Sequence, residues 1–347
     1  MQAGPKRNLR IRYIFLSAAV VLTIFAWSAG WFYMRGQLQN QIERNLNGLE
    51  QAGVAASCAD LKIAGFPFRF EVSCDDTSII DAVGRTSRLK RLLAVALVYN
   101  PWHVIIEAAG PYMFEAPEIG LKASADWKLA RSSVLYSTDG LDQLDLAVDD
   151  LSLAALGAGV GVDLSAQSGQ INLRIAPEDL TALEAFVSLT GVKSAMLPSD
   201  TSPIDGRIHL QVPNGAVLLK GRGLESLPGA EDGSWPLRLV WSSLKSDELQ
   251  LEATGDLRLD HQGLLSGNVD LTVFDIEAFV QFLSELMPGQ AQTFEAMKGA
   301  ALSFGRQSQD EEDGRLKVLM PFTLSEGQVR LGLLPLGVLP PVNTGRR

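Results

Sequence analysis

The chain has 347 residues, 46% hydrophobic and 20% charged, too apolar for a disordered tail and long enough for one large or two ordinary domains with a buried core. Glycine and proline (32 and 16) are near average usage, which excludes collagen-like and low-complexity chains, and two cysteines are too few for a disulfide scaffold or a four-thiolate zinc site. A formal net charge of −10 argues against nucleic acid as a partner, because neutralising phosphates needs a basic face.

The charge is unevenly spread. Lys6, Arg7, Arg10, Arg12 and Arg35 are the only charges in the first 35 residues; the remainder holds 25 basic against 40 acidic residues, a net of −15. Between these basic groups, Tyr13 to Met34 runs uncharged. As a helix it spans about 33 Å, enough for a hydrocarbon core of about 30 Å. Four cations precede it and one follows, which predicts residues 1–12 as a cytoplasmic basic leader and 13–34 as a transmembrane anchor. Trp31, Phe32 and Tyr33 stand where an interfacial aromatic belt belongs. A cleaved secretory signal is the rival reading, with Ser28-Ala29-Gly30 as its cleavage site, although the run is longer than the usual apolar region and ends in bulky aromatics. Either way the rest of the chain is delivered across the membrane.

Residues 35–53 predict a juxtamembrane helix, with Leu38, Ile42, Leu46 and Leu49 on one stripe. Cys58 and Cys74 are centred on residue 66, within the turn-forming Gly65-Phe66-Pro67. A hairpin with a three-residue loop there pairs 64 with 68 and 58 with 74, which sets the thiols face to face for a disulfide in an oxidising compartment. Two buried free thiols or a redox pair are the alternatives. On the second strand, Phe66, Phe68, Phe70 and Val72 alternate with Arg69, Glu71 and Ser73, as in half-buried β-structure.

Strand patterns then dominate. Ile119, Leu121, Ala123, Ala125, Trp127 and Leu129 alternate with polar residues as one long strand. A glycine-led template recurs from Gly169, Gly206, Gly267 and Gly327, each read as a hairpin turn feeding a one-sided strand. The order of these units suggests an internal repeat, about 160–222 and 258–333. In the first copy a helix is predicted from Pro177 to Thr190, containing Leu183-Glu-Ala-Phe-Val187; in the second, a helix capped by Asp275 contains Ile276-Glu-Ala-Phe-Val280. Each copy closes with a hairpin strand, at 215–219 and 327–331. The expected fold is α+β and β-dominated: a large, bent, mostly antiparallel sheet with a few helices on one face, behind a single transmembrane helix. With about fifteen strands such a sheet must twist or curl, giving an apolar concave side. Ile171, Leu173, Ile208, Leu210, Val269 and Leu271 are the candidate lining of that apolar groove.

Catalytic, cofactor and metal motifs are missing from the sequence. His103, His209 and His261 have no metal-ligand spacing, and HExxH, GxSxG, Walker A and GxGxxG do not occur. Gly157-Ala-Gly-Val-Gly161 reads as a flexible turn, and Asp310 to Gly314 as a solvated turn rather than a calcium loop. No cofactor is expected.

Several segments together are similar to one family: the basic leader and anchor; Gly65-Phe66-Pro67-Phe68-Arg69-Phe70; Tyr99-Asn-Pro-Trp-His-Val104; and the closing Gly332-Leu-Leu-Pro-Leu-Gly337 with Pro340-Pro341. They resemble the domain of unknown function 2125 family of bacterial envelope proteins, over nearly the whole chain. The resemblance implies an inner-membrane protein with residues 54–347 in the periplasm, and no assigned activity. More distantly, the glycine-led strands behind one anchor look like AsmA-type envelope proteins, which are associated with lipid movement or outer-membrane assembly. Three readings follow. The first is a non-catalytic factor that handles phospholipid or assembles the envelope through an apolar groove. The second is a structural or protein-interaction domain whose sheet is filled by its own helices and which partners another envelope protein. The third is an enzyme on an envelope substrate, with Asp145, Asp149 and Asp150 as acids and bases.

Overall fold

The apolar run and the amphipathic segment after it form one unbroken helix, α1 (Leu9–Gln51), rather than an anchor followed by a separate juxtamembrane helix. No proline interrupts the segment, so the backbone ladder continues through residue 34. Its N-terminal part is long and apolar enough to cross a membrane, and only 6% of its most apolar window is buried against protein. Further on, Leu38, Ile42 and Leu46 are half-buried on the predicted stripe, while Leu49 is exposed. The computed structural model describes residues 9–157, 160–198, 201–228, 233–309 and 316–342. Most of the basic leader, the centre of the glycine-rich turn at 158–159 and the acidic run at 310–314 lie outside the described residues.

After a short turn the chain enters an antiparallel sheet of 17 strands among the described residues. In chain order these begin with β1 (Ala55–Ala64), β2 (Arg69–Ile80), β3 (Thr86–Leu97), β4 (Asn100–Ala116), β5 (Leu121–Asp126) and β6 (Leu129–Ser137). They continue through β7 (Gly140–Gly157), β8 (Val160–Ile175), β9 (Leu183–Ser194), β10 (Ile204–Val212), β11 (Trp235–Lys245), β12 (Gln250–Leu259) and β13 (Leu265–Phe274). Last come β14 (Arg306–Gln309), β15 (Leu316–Ser325), β16 (Gln328–Leu331) and β17 (Leu334–Val338). The sheet is a meander, as expected where hairpins outnumber crossovers. Strands β5 and β6 lie end to end between β4 and β7. β14 and β16 likewise share one side of β15.

A line of irregular pairing crosses the first ten strands. Asp76 in β2, Asp150 in β7 and Gly191 in β9 have positive φ (51°, 52° and 63°). The ladder skips Lys90 in β3 and Gln167 in β8, and β10 shifts register between Ile204 and Gly206. Aligned bulges of this kind bend a sheet. Gly191 is required there, because a Cβ would sit 2.6 Å from the Gln167 side chain. The predicted single strand from Ile119 to Leu129 is broken on the same line: Pro117–Ile119 is a 3-10 turn, and pairing stops at Trp127 and Lys128.

Other expectations are corrected. Pro177 to Thr190 is not a helix; residues 183–194 form β9, paired on both sides. Ala185, Val187 and Leu189 then take one face while Glu184, Phe186 and Ser188 take the other, so two flanking ladders override local helix propensity. Residues 216–219 form a short helix, α2, instead of a hairpin strand. Gly169, Gly206 and Gly267 lie inside strands, and of the four only Gly327 lies in a turn that feeds a strand. The two proposed copies therefore do not share a strand–helix–hairpin architecture.

The best-buried core lies at the C-terminal end. Helices α3 (Ile276–Leu286) and α4 (Ala291–Phe304) pack Ile276, Phe279, Val280, Phe294, Met297 and Ala301 onto Val273, Val318, Met320 and Leu331. Asp275 caps α3, its side chain accepting from the Ala278 N–H at 3.1 Å.

Cys58 and Cys74 are joined, with Cα atoms 5.6 Å apart. The pairing is three residues off the expected register: Cys58 faces Thr77 and Cys74 faces Leu61. The turn spans Gly65–Phe68, longer than three residues, and the bridge crosses the ladder diagonally where Ala59 and Asp76 go unpaired. The bridged positions are 16 residues apart. Replacing both cysteines by serine is expected to lower stability by about 3 kcal/mol, the cost for a loop of about 15 residues. The check is a lower urea midpoint, with a slope that is not reduced because the unlinked unfolded chain is less compact.

Candidate functional site

The register decides which side chains share a face. Ile63 in β1 stands opposite Val72, then come Ala94, Ile106, Ser132, Leu146 and Ile171 on successive strands. The same row runs on through Val187, Ile208, Ser242, Ala253, Leu271 and Met320. A parallel row starts at Phe70 and passes Ala96, Val104, Val134, Leu144 and Leu173. It ends through Ala185, Leu210, Leu239, Gly255, Val269 and Phe322. All six candidate groove residues thus lie in two adjacent rows on one face. Only two serine hydroxyls interrupt the rows. Thirteen strands at 4.7–4.9 Å spacing make this stripe about 58 Å long.

The bulge in β11 sets which of its residues join the rows, placing Ser242 in one and turning Trp241 to the reverse face. Leu239 and Ser242 are three residues apart and would alternate to opposite faces in a regular strand. The register shift between them returns both to the same side. On the reverse face, the neighbouring row carries Asp145, Asn172, Phe186, His209 and Trp241.

The stripe is covered by helices at one end and by Trp31 at the other, and between them the four-residue α2 lies against β7, β8 and β9. Helices α3 and α4 close the C-terminal end over Val273, Val318 and Met320. At the other end Trp31 of α1, 5% exposed, stacks on Phe70 with ring centres 5.4 Å apart. Between them Ala94, Ile106, Leu146, Ile171, Val187 and Ile208 are half-buried with no helix of eight or more residues packed over them among the described residues. A depression of about 380 Å³ opens there, lined among others by Val187, Leu189, Ile208, Leu244, Leu251 and Leu271. Sheets of this size twist and curl, and the depression makes the apolar face a shallow trough.

The Gly65-Phe-Pro-Phe-Arg-Phe70 segment fastens this trough to α1. Phe66 and Phe68 belong to the turn, not to β2 as expected, and are 48% and 62% exposed. Trp27 Nε1 donates to Pro67 O at 2.9 Å and Trp31 Nε1 to Arg69 O at 3.2 Å. Phe66 lies edge-on to Trp31 and stacked on Phe32. Gly65 has φ +99°, and a Cβ there would meet Arg69 O at 2.7 Å, so glycine is needed for the closed turn. The Val98 N–H donates to Phe68 O at 2.9 Å, tying in the β3–β4 turn with exposed Tyr99 and Trp102. A cleft of about 490 Å³ lies between helix and sheet, lined by Thr23, Ala26, Trp27, Gly30, Trp31 and Met34 on one side and Phe70, Val98 and Pro101 on the other.

Polar groups do not converge comparably. Asp145 accepts from Gln143 and Asn172, both at 2.7 Å, and Asp150 faces Lys128 at 3.9 Å. His103 bonds Ser133 at 2.8 Å, and His209 lies 4.0 Å from Glu184 on the reverse face. Among the described residues no three His, Cys, Asp or Glu side chains are grouped to hold a metal ion. Glu118, hydrogen-bonded by Arg85, and Asp179, hydrogen-bonded by Thr181, sit below the usual carboxylate range; both are exposed turn residues with local partners.

Over residues 31–340 the chain matches the family described as "Uncharacterized protein conserved in bacteria (DUF2125)", and it belongs to that family. No curated protein and no solved structure matches it.

Proposed function

We propose that this member of an uncharacterised bacterial family is a non-catalytic, membrane-anchored envelope protein that holds lipid acyl chains in its trough. The observation that carries the reading is continuity. The apolar rows begin at Phe70, against a helix apolar enough to cross the membrane, and run on as half-buried side chains across most of the sheet. Acyl chains need a long apolar channel with few buried charges, and they are the ligand available where this channel starts. The basic N-terminal leader supports a cytoplasmic N-terminus and a periplasmic sheet. Docking of Trp27 and Trp31 on the hairpin supports a retained anchor, since cleavage after Gly30 would remove one of the two tryptophans.

The test uses full-length protein in vesicles of phosphatidylethanolamine and phosphatidylglycerol carrying a headgroup-labelled phosphatidylethanolamine. A photo-crosslinking residue is placed at Ile208 in the trough or at His209 on the reverse face. Labelled adducts at Ile208 are expected to exceed those at His209 by about tenfold, the ratio for a preference of about 1.4 kcal/mol. Equal labelling of both faces, or none, would overturn the reading.

A further inference from the structure

We propose that the cleft between α1 and the hairpin is a lateral portal, through which one phospholipid of the leaflet nearest the sheet enters the trough. This rests on the trough reading and adds the route and the recognised headgroup chemistry. The helical side of the cleft runs from Thr23 to Met34. That length is about 17 Å at 1.5 Å per residue, close to half of a hydrocarbon core of about 30 Å. The cleft therefore matches the depth of one leaflet, and its open side faces acyl chains. Its other wall includes Phe70, the first residue of the second apolar row, so a chain moving along it meets Ala96 and Val104 next. One residue past Met34, the last helical residue lining the cleft, stands Arg35, half-buried, its Nε shielded from solvent and without a hydrogen-bond partner among the described residues. A cation at that level is placed for a headgroup phosphate, while its stem lies along apolar surface. The exposed ring of Phe66 packs on Trp31 and Phe32 within one turn of Arg35, where aromatics anchor a protein at the lipid–water boundary.

The experiment measures labelled phosphatidylethanolamine adducts at Ile208, as above, with the portal altered. Gly30 lines the cleft and a Cβ there meets nothing within 4 Å, so the side chain of Gly30→Trp enters the cleft. It is expected to cut Ile208 adducts at least tenfold while protease resistance of the sheet stays intact. Arg35→Gln is expected to cut them about tenfold, as for one lost charge-assisted hydrogen bond. Undiminished adducts in both variants would overturn the portal and leave the trough standing. Absence of adducts in the unaltered protein would overturn the trough and the portal with it. If Gly30→Trp loses protease resistance, Arg35→Gln alone decides.

Discussion

Replacing Trp31 with alanine is expected to release the hairpin from α1 and to cost about 3–5 kcal/mol, the usual range for emptying a buried aromatic site. Trp31 is nearly inaccessible, touches Phe32, Phe66 and Phe70, and donates to Arg69 O. The alanine variant loses all of these contacts and leaves that carbonyl without its partner. Equilibrium unfolding in detergent micelles measures the loss, and faster tryptic cleavage after Arg69 should accompany it. Trp27 is more exposed, with a single hydrogen bond to Pro67 O, so Trp27→Ala should cost about 1 kcal/mol. A Trp31 variant within about 1 kcal/mol of the parent would show that the clasp does not hold helix and sheet together.

The second large effect contrasts two positions in one cross-strand row. Met320 is fully buried under α3 and α4, whereas Ile208 lies on the uncovered stretch. Met320→Asp puts an unpaired carboxylate into the core and should cost more than about 4 kcal/mol. Ile208→Asp leaves its carboxylate in reach of water and should cost about 1–2 kcal/mol, while abolishing lipid adducts at neighbouring trough positions. Thermal unfolding of the two variants decides it. Equal destabilisation would mean that the middle of the trough is filled rather than open.

Much of this was readable from residue order. Twenty-two uncharged residues after a basic leader required a membrane-length helix, and alternation from Gly169, Gly206 and Gly267 required strands with one apolar side. The six groove candidates came from that alternation, and all fell on one face. What was misread depended on partners. Leu183-Glu-Ala-Phe-Val187 and Ile276-Glu-Ala-Phe-Val280 are nearly the same pentapeptide. The second is a helix, capped by Asp275 and laid on the face of β13 and β15; the first is a strand, because β8 and β10 offer it a ladder on each side. Five residues of local preference cannot outweigh two rows of hydrogen bonds.

The clasp residues show the same division. The Phe66, Phe68, Phe70 alternation looked like one strand face, yet the first two rings are in the turn and reach back to a helix some 35–40 residues earlier in the chain. By itself the sequence determined the membrane-length helix, the antiparallel β-rich class and the apolar identity of the trough positions, since each follows from local spacing and hydropathy; the cysteines were expected to pair, but in a register the structure shifts by three residues. Only the tertiary structure decided the register, the bend across ten strands, the bulge that keeps Leu239 and Ser242 on one face, and the meeting of trough and helix at Trp31. Those depend on which strands become neighbours, and pairing between distant segments is a property of the whole sheet that no local pattern encodes.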